Sequence, residues 1–410
     1  MSKHGPILAV IGVSHRALIA GVRATGVDSV VEIDWTNVLQ AFDRSPPAAV
    51  IAAIPAEGDA AFETLAAHIA ASQLYVPLIV LDAAASLPAH AIPFSLRENG
   101  ADRLAARLRA ALRVRALHAT MLRRQADRPA ASHPFADSDP LQDATVLLIG
   151  RGASYPALSV ALGTQMGVVG ALSIEAAAKH LNARDIDGIV ISDGFTTRVL
   201  DAFLTVLSED PRFRNLPVVA PSESKRSYDL PNLETVDGEP AQVVMAALPL
   251  IQQRAFEQRI NRTLRSIDAG GMLDPRTGLL TPAAFDRDFK TAVDQAQARR
   301  SGLSAARFFF AESHPREQYD AARILSRLIR RMDFATMHDN GTMTAVFVDA
   351  GGRSASNIAK RLASVMKYTM HSARRGSHID PHVHVETLTA SDTAASLLAR
   401  LTSETKRAAS

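Results

Sequence analysis

Short apolar runs alternate with helix-period segments over the first part of the chain. Four runs are apolar on both faces and are predicted to be buried strands: 7–13, 30–33, 49–54 and 76–81. Between them, segments such as 62–69 carry apolar residues at helical spacing. Alternating strands and helices predict a parallel sheet with helices on both sides.

The same pattern begins again after a segment rich in proline and small polar residues. This segment, 126–142, is predicted to be a flexible linker. Further buried strands are predicted beyond it, at 144–150, 168–172, 188–192 and 216–220. The recurrence predicts an internal duplication of one α/β unit.

Helical patterns follow each predicted sheet. Apolar spacing from 104 to 121 continues a helix past the first sheet, where it would extend a stem or a dimer seam. A second helical stretch starts at 241, and Pro249 is expected to kink or divide it. The predicted domains are 1–125, 143–255 and 272–410, with a connecting helix at 256–271.

Composition limits the classes of function. The 410 residues favour about three domains, and the absence of cysteine excludes disulfides and thiol chemistry. Net charge is only +3, and no run approaches the ~18 apolar residues of a membrane span. One helix has a basic face that is interpreted as solvated: Arg103, Arg107, Arg113, Arg123 and Arg124. A cytoplasmic protein without membrane insertion or a nucleic-acid polymer partner is therefore expected.

Three short motifs follow one another in the last third of the chain. The segment 274–279 reads Asp-Pro-Arg-Thr-Gly-Leu, and 330–333 reads Arg-Arg-Met-Asp. Five residues later, 339–343 reads Asp-Asn-Gly-Thr-Met. This order and spacing resembles a GGDEF (diguanylate cyclase) domain whose signature loop has been replaced.

With the two preceding α/β units, the chain resembles the two-receiver response-regulator diguanylate cyclases over nearly its full length. The resemblance implies two receiver-like domains, each a flavodoxin-like, doubly wound parallel sheet. It implies a third GGDEF-like α/β domain with a mixed central sheet. A homodimer and a signalling protein partner that the sequence does not identify are also implied.

The receiver resemblance implies phosphotransfer residues that this chain lacks. The family has acids after its first strand, where this sequence has Ser14 and His15. In the second copy, Ser192 lies where the phosphoacceptor aspartate would be, and Asp193 follows it. Phosphorylation is therefore not expected, and Asp193 is kept as the less favoured alternative.

The signature positions imply loss of the family's catalysis. All five differ from the family pattern: Asp339, Asn340, Gly341, Thr342 and Met343. Gly341 and Thr342 replace the acids, one of which would hold Mg²⁺ against the phosphates. Glu312 is the nearest carboxylate after the first predicted strand of this domain. No catalytic residue and no required cofactor are expected.

The resemblance also implies a site for the cyclase product, cyclic di-GMP, at an Arg-x-x-Asp motif. Arg330 and Asp333 have the family spacing, and Arg361 lies eighteen residues after Met343, at the position of a further ligand arginine. A guanidinium can fork onto O6 and N7 of guanine, and a carboxylate can accept from N1 and N2. The same spacing on a helix is also an ordinary surface ion pair.

The favoured function is a non-catalytic cyclic di-GMP effector. One alternative is a nucleotide-free scaffold for dimerisation and docking, and a second is a residual cyclase that uses Glu312. His382, His384 and Glu386 would share one face of a strand in a geometry that could hold Zn²⁺. The favoured interpretation is a late strand of the domain with its valines toward the core and no metal.

Overall fold

The computed structural model describes residues 5–27, 29–54, 60–82, 87–88, 90–96, 100–126, 139–221, 228–236, 238–310, 315–369 and 381–408. The chain divides into two compact units. One comprises Met1–Met166, Ala171–Ile174 and Asp187–Ile260, and the other comprises Gly167–Gly170, Glu175–Ile186 and Asn261–Ser410. Most of the expected linker, residues 127–138, lies outside the described residues.

The first sheet has five strands: β1 (Ile7–Val10), β2 (Val30–Glu32), β3 (Ala49–Ala53), β4 (Leu78–Leu81) and β5 (Ala91–Phe94). Their order is β2-β1-β3-β4-β5, and the pairings are parallel. Four helices accompany it: α1 (Arg16–Ala24), α2 (Val38–Arg44), α3 (Ala60–Ala70) and α4 (Gly100–Ala126). Apolar clusters cover both faces of the sheet, one with α1 and α4 and the other with α2 and α3. The two-sided burial explains why the strands are continuous apolar runs.

The second sheet has the strands β6 (Thr145–Ile149), β7 (Gly167–Ala171), β8 (Gly188–Ile191), β9 (Val218–Ala220) and β10 (Leu233–Thr235). Its order, β10-β9-β8-β6-β7, repeats that of the first sheet. The accompanying helices are α5 (Tyr155–Gly163), α6 (Ile174–Ala183), α7 (Thr197–Glu209) and α8 (Pro240–Asp268). Both sheets therefore have the 2-1-3-4-5 order of flavodoxin-like folds.

Helix α8 is continuous from Pro240 to Asp268 and contains Pro249. The boundary predicted between 255 and 256 thus lies inside one helix, and the expected connecting helix is its second half. The helix ends as expected at Gly270 and Gly271, whose φ angles are 66° and 80°. The backbone N–H of Gly271 donates to the carbonyl of Ser266 over 2.8 Å, which closes the last turn.

Arg107 does not lie on a solvated face, contrary to the expectation for the basic side of α4. Its side chain is 1% exposed and donates to three backbone carbonyls, those of Pro93, Pro231 and Leu233. Its Nη1 lies 3.0 Å from Oε1 of Glu234, which is also 1% exposed. A buried cation requires this many acceptors because isolated charges are costly to desolvate. Arg107 therefore joins α4 to the edge strand of the second sheet within the first unit.

The third sheet has the strands β11 (Leu303–Phe309), β12 (Phe334–Met337), β13 (Met343–Val348) and β14 (His382–Thr387). Its order is β12-β13-β11-β14 and these pairings are antiparallel, while an isolated parallel bridge joins Leu280 to Thr336. Helices α10 (Pro315–Leu328) and α11 (Gly352–Thr369) cover one face of the sheet. The other face packs on α9 (Pro282–Arg299) and α12 (Ala394–Ala408). The predicted α/β class with two parallel sheets is confirmed. The third sheet, which was expected to be mixed, pairs its four strands antiparallel, and its parallel part is the isolated bridge between Leu280 and Thr336.

Across the part of the chain that the structure describes, no helix combines the length and the apolar character that a bilayer crossing requires.

Candidate functional site

The Arg330-to-Asp333 segment is a turn between α10 and β12. The backbone N–H of Asp333 donates to the carbonyl of Arg330 over 3.0 Å. Asp333 is only 7% exposed, and its Oδ1 accepts from the backbone N–H of Val348 over 3.0 Å. Burial raises the pKa of the Asp333 carboxyl, while the Val348 hydrogen bond and the charge of Arg330 act in the opposite direction. Asp333 therefore fixes the turn against the last residue of β13.

Arg330 has a different environment from Asp333. Its side chain is exposed, and within the described residues its guanidinium makes no hydrogen bond or ion pair. The adjacent Arg331 is exposed in the same way. The turn thus combines a fixed backbone with a free cation, which suits binding of an external anion or guanine edge.

A cavity of about 380 Å³ lies next to this turn. One wall is Met332, which is 53% exposed, together with Phe334. The opposite side is the polar face of α9, where four residues occur at every fourth position: Arg287, Thr291, Gln295 and Arg299. Val348 and Asp349 complete the lining near the Asp333 clamp. Its volume is within the ~300–1,000 Å³ range of small-molecule sites.

The cavity lining supplies two kinds of contact. Arg287 and Arg299 are cationic, Asp288 and Asp349 are acidic, and Arg287 Nε lies 3.5 Å from Asp288 Oδ1. Met332 and Phe334 present apolar surface on which a flat ring can pack. Phe334 is held by an edge-to-face contact with Phe285, with ring centroids 5.6 Å apart. A ligand that carries both a planar base and a phosphate matches this combination.

Arg361 lies on the exposed side of α11, while Ala355, Ile358 and Leu362 on its other side pack into the core. No contact within the described residues joins Arg361 to Arg330 or Asp333. The three predicted ligand residues are therefore not brought together by direct contacts, and Arg361 as a third ligand residue stays a prediction.

The five signature positions form the hairpin between β12 and β13. The hairpin is closed by the backbone N–H of His338, which donates to Thr342 O over 2.8 Å. Asn340 Oδ1 accepts from both the backbone N–H and the hydroxyl of Thr342, at 3.2 and 2.7 Å. Met343 is fully buried, whereas Asp339 and Asn340 are exposed. The backbone N–H and hydroxyl of Thr342 are thus satisfied within the hairpin.

Gly341, at the tip of this hairpin, has a φ of 77° and lies against the side-chain amide of Gln318 on α10. Any side chain at 341 would overlap Gln318 and strain the backbone. The acid that this position carries in the resembled family would require the Gln318 side chain to move and would strain the backbone at this φ. Asp339 leaves a single carboxylate in the hairpin, and Glu312 lies outside the described residues.

His382, His384 and Glu386 lie on β14 and share one face, as predicted. His384 Nε2 lies 3.1 Å from Oε1 of Glu386, whose Oε2 pairs with Arg400 Nη1 at 2.5 Å. His382 stacks on Phe309, with ring centroids 5.1 Å apart. Among the residues that the structure places, no group of three such side chains has the geometry of a metal site.

Asp193 follows β8 at the carboxyl edge of the second sheet, next to the buried Ser192. Its carboxylate accepts hydrogen bonds from the Ser154 and Ser192 hydroxyls at 2.5 and 2.7 Å. Its Oδ2 also accepts from the backbone N–H of Ala153 at 3.0 Å. Hydrogen bonds from Ser154 and then Ser192 lower the pKa of Asp193 to about 2. The residue is therefore an exposed, ionised acceptor held by both loops.

Sequence reasoning missed the cavity residues on α9. The spacing of Arg287, Thr291, Gln295 and Arg299 is the signal that could have found them. The same spacing is typical of a solvated helix face. It indicates a binding surface only once the fold places Met332 and α9 in the lining of one cavity.

Comparison with known proteins gives a partial likeness. No protein-family model matches the sequence, and no curated protein matches it either. Among solved structures, the GGDEF domain of DgcB from Caulobacter crescentus in complex with c-di-GMP is 15% identical. It has a TM-score of 0.29, and the alignment covers 33% of this chain and 88% of that one. The FimX GGDEF domain from Pseudomonas aeruginosa is 19% identical, with a TM-score of 0.29 and coverage of 34% and 93%.

A third similar structure is the diguanylate cyclase SiaD in complex with its activator SiaC from Pseudomonas aeruginosa. It is 15% identical with a TM-score of 0.31, and the alignment covers 37% of this chain and 65% of that one. Each likeness is confined to little more than a third of this protein.

Proposed function

We propose that this chain is a non-catalytic signalling protein that binds cyclic di-GMP at the Arg330 turn. The observation that carries the proposal is the exposed guanidinium of Arg330 on a turn fixed by Asp333, beside a cavity whose lining includes two arginines, two aspartates and Met332. A fixed backbone limits the ordering entropy that binding must overcome, which favours affinity.

The chemistry of each group suits a guanine dinucleotide. The guanidinium of Arg330 forks onto O6 and N7 of one guanine, a contact worth about 1–3 kcal/mol. Arg287 and Arg299 face the phosphates, and Met332 lies under a base. Asp333, whose Oδ1 accepts from the backbone N–H of Val348, holds the turn that carries Arg330. Arg361 joins from α11 as a further cation.

The signature hairpin supports the non-catalytic part of the proposal. Phosphoryl transfer between two nucleotides needs metal ions held by paired carboxylates. Here the hairpin is closed on itself, and Gln318 occupies the space beside Gly341 that a replacing side chain would need. The chain would thus respond to the messenger without making it.

The wider architecture in this proposal is that of a response regulator. The two flavodoxin-like sheets act as receiver-like domains that have lost phosphotransfer, and the third domain carries the ligand. The protein acts in the cytoplasm as a homodimer, and ligand binding changes a surface that docks a signalling protein.

Isothermal titration with cyclic di-GMP tests the site assignment. Arg330→Ala should weaken binding by about 10- to 100-fold, because it removes a bidentate contact. Arg331→Ala is the matched control, since Arg331 is exposed and free within the described residues like its neighbour, and it should bind like the wild type. Equal affinities for the two variants would remove Arg330 from the site. Absence of binding by the wild type would favour the scaffold alternative.

A further inference from the structure

Asp193 joins two loops at the carboxyl edge of the second sheet. Its own carbonyl accepts from the backbone N–H groups of Arg151 and Gly152, at 3.4 and 3.2 Å. Its carboxylate reaches across the same gap to Ala153 and Ser154. The loop after β8 is therefore tied to the loop after β6 through both the main chain and the side chain of one residue.

These loops flank the crevice in which an open parallel sheet ordinarily binds its ligand. Strand β6 lies between β7 and β8, so the chain crosses the sheet in opposite directions on its two sides. Ligands of such folds bind at this switch point, outside the carboxyl ends of the strands. In this protein the exposed Asp193 carboxylate lies at this position, beside the N-terminus of α5, and accepts hydrogen bonds from the Ser154 and Ser192 hydroxyls.

The glycines on both sides are matched to this arrangement. A Cβ atom on Gly152 would overlap the Asp193 carboxylate itself. Gly194 has a φ of 99°, at which a side chain would strain the backbone, and a Cβ there would lie a tight 3.1 Å from Gly152 N. The two loops are thus shaped to hold one another, and the carboxylate lies between them.

We propose that the Asp193 carboxylate is a built-in anion that ties the loops after β6 and β8 together at the switch point of the second sheet, so that this domain works without accepting a phosphoryl group or a phosphate ligand. The carboxylate accepts three hydrogen bonds at Oδ1 and one at Oδ2, and each of these bonds stabilises its charge and lowers its nucleophilicity. The lowered pKa of Asp193 is consistent with an anion that stays ionised. The inference concerns the second sheet and does not depend on nucleotide binding at Arg330.

Three measurements on the full-length protein test this inference. Wild type incubated with acetyl phosphate and Mg²⁺ should show no phosphoryl adduct by intact mass, and orthophosphate should not shift its thermal midpoint. Asp193→Ala should raise the amide hydrogen-exchange rate at 153–154 by about fivefold. This increase is small for the loss of charged hydrogen bonds because solvent screens these exposed bonds. The thermal midpoint of Asp193→Ala should also rise with added orthophosphate, because two hydroxyls and two backbone amides lose their acceptor and can bind the phosphate instead.

Glu209→Ala is the matched control, since Glu209 is an exposed acid on α7 without a contact to these loops within the described residues, and it should behave like the wild type. Asp193→Asn retains a neutral acceptor, so its exchange rate should lie between those of the wild type and of Asp193→Ala. It replaces the alanine variant if that variant folds poorly. A phosphoryl adduct on wild-type Asp193, unchanged exchange in Asp193→Ala, or no phosphate response in that variant would each overturn the proposal.

Discussion

Arg107 provides the most demanding test of how the first unit is held together. Arg107→Ala removes the cation paired with Glu234 and leaves three buried carbonyls without their donor. Neither oxygen of Glu234 accepts a hydrogen bond within the described residues, so Arg107 is the cation that compensates its charge. Removing one partner of a buried pair costs about 3–5 kcal/mol, and the expected loss of unfolding free energy lies in this range.

Urea denaturation followed by circular dichroism measures this loss. The double variant Arg107→Met/Glu234→Gln should recover part of it, because no uncompensated charge remains while the carbonyls stay unpaired. Arg123→Met is the control: Arg123 lies exposed in the last turn of the same helix, and its loss should stay within about 0.5 kcal/mol. A loss below about 1 kcal/mol for Arg107→Ala would refute the reasoning that this ion pair is a structural requirement.

Three further outcomes are expected. Gly341→Ala should lower the unfolding free energy by about 1–3 kcal/mol through backbone strain and overlap with Gln318. Adding Gln318→Ala to that variant should restore part of the lost free energy in the same urea assay. An unchanged unfolding free energy in Gly341→Ala would contradict the packing described. Burial acts to raise the pKa of Asp392, but hydrogen bonds from Thr389 and Ser396 outweigh it and lower the pKa to about 2. A lowered pKa contributes stability that is present above the unfolded pKa near about 4 and is lost as the pH falls toward about 2. The thermal midpoint of Asp392→Asn should therefore depend less on pH over that window than the midpoint of the wild type. Equal pH dependence of the two midpoints would count against this contribution. Incubation of the wild type with GTP and Mg²⁺, followed by chromatography, should give no cyclic product, and product above background would overturn the non-catalytic assignment.

The strands were predictable where burial on both faces leaves a continuous apolar run. This holds for β1, β3 and β8, whose predicted and observed positions overlap. Strand β10 was missed, because its three residues, Leu233–Thr235, include Glu234 and lie at the sheet edge. Its acid is tolerated there through a partner that is distant in sequence, Arg107. No local pattern carries that information.

The candidate site was predictable only in part. Motif spacing indicated Arg330 and Asp333, but it gave them equal roles as ligands. The structure separates them, since Asp333 is buried on Val348 and Arg330 is exposed. The cavity beside them depends on packing of α9 against β12, which is a tertiary contact that residue spacing cannot specify.

Calorimetric titration of the wild-type protein with cyclic di-GMP, repeated with GTP, tests the central claim most directly. The account predicts saturable binding of the cyclic dinucleotide with a Kd of about 1 μM or tighter, and GTP binding at least about tenfold weaker. No heat with cyclic di-GMP up to about 1 mM, or equal affinity for the two nucleotides, would contradict it.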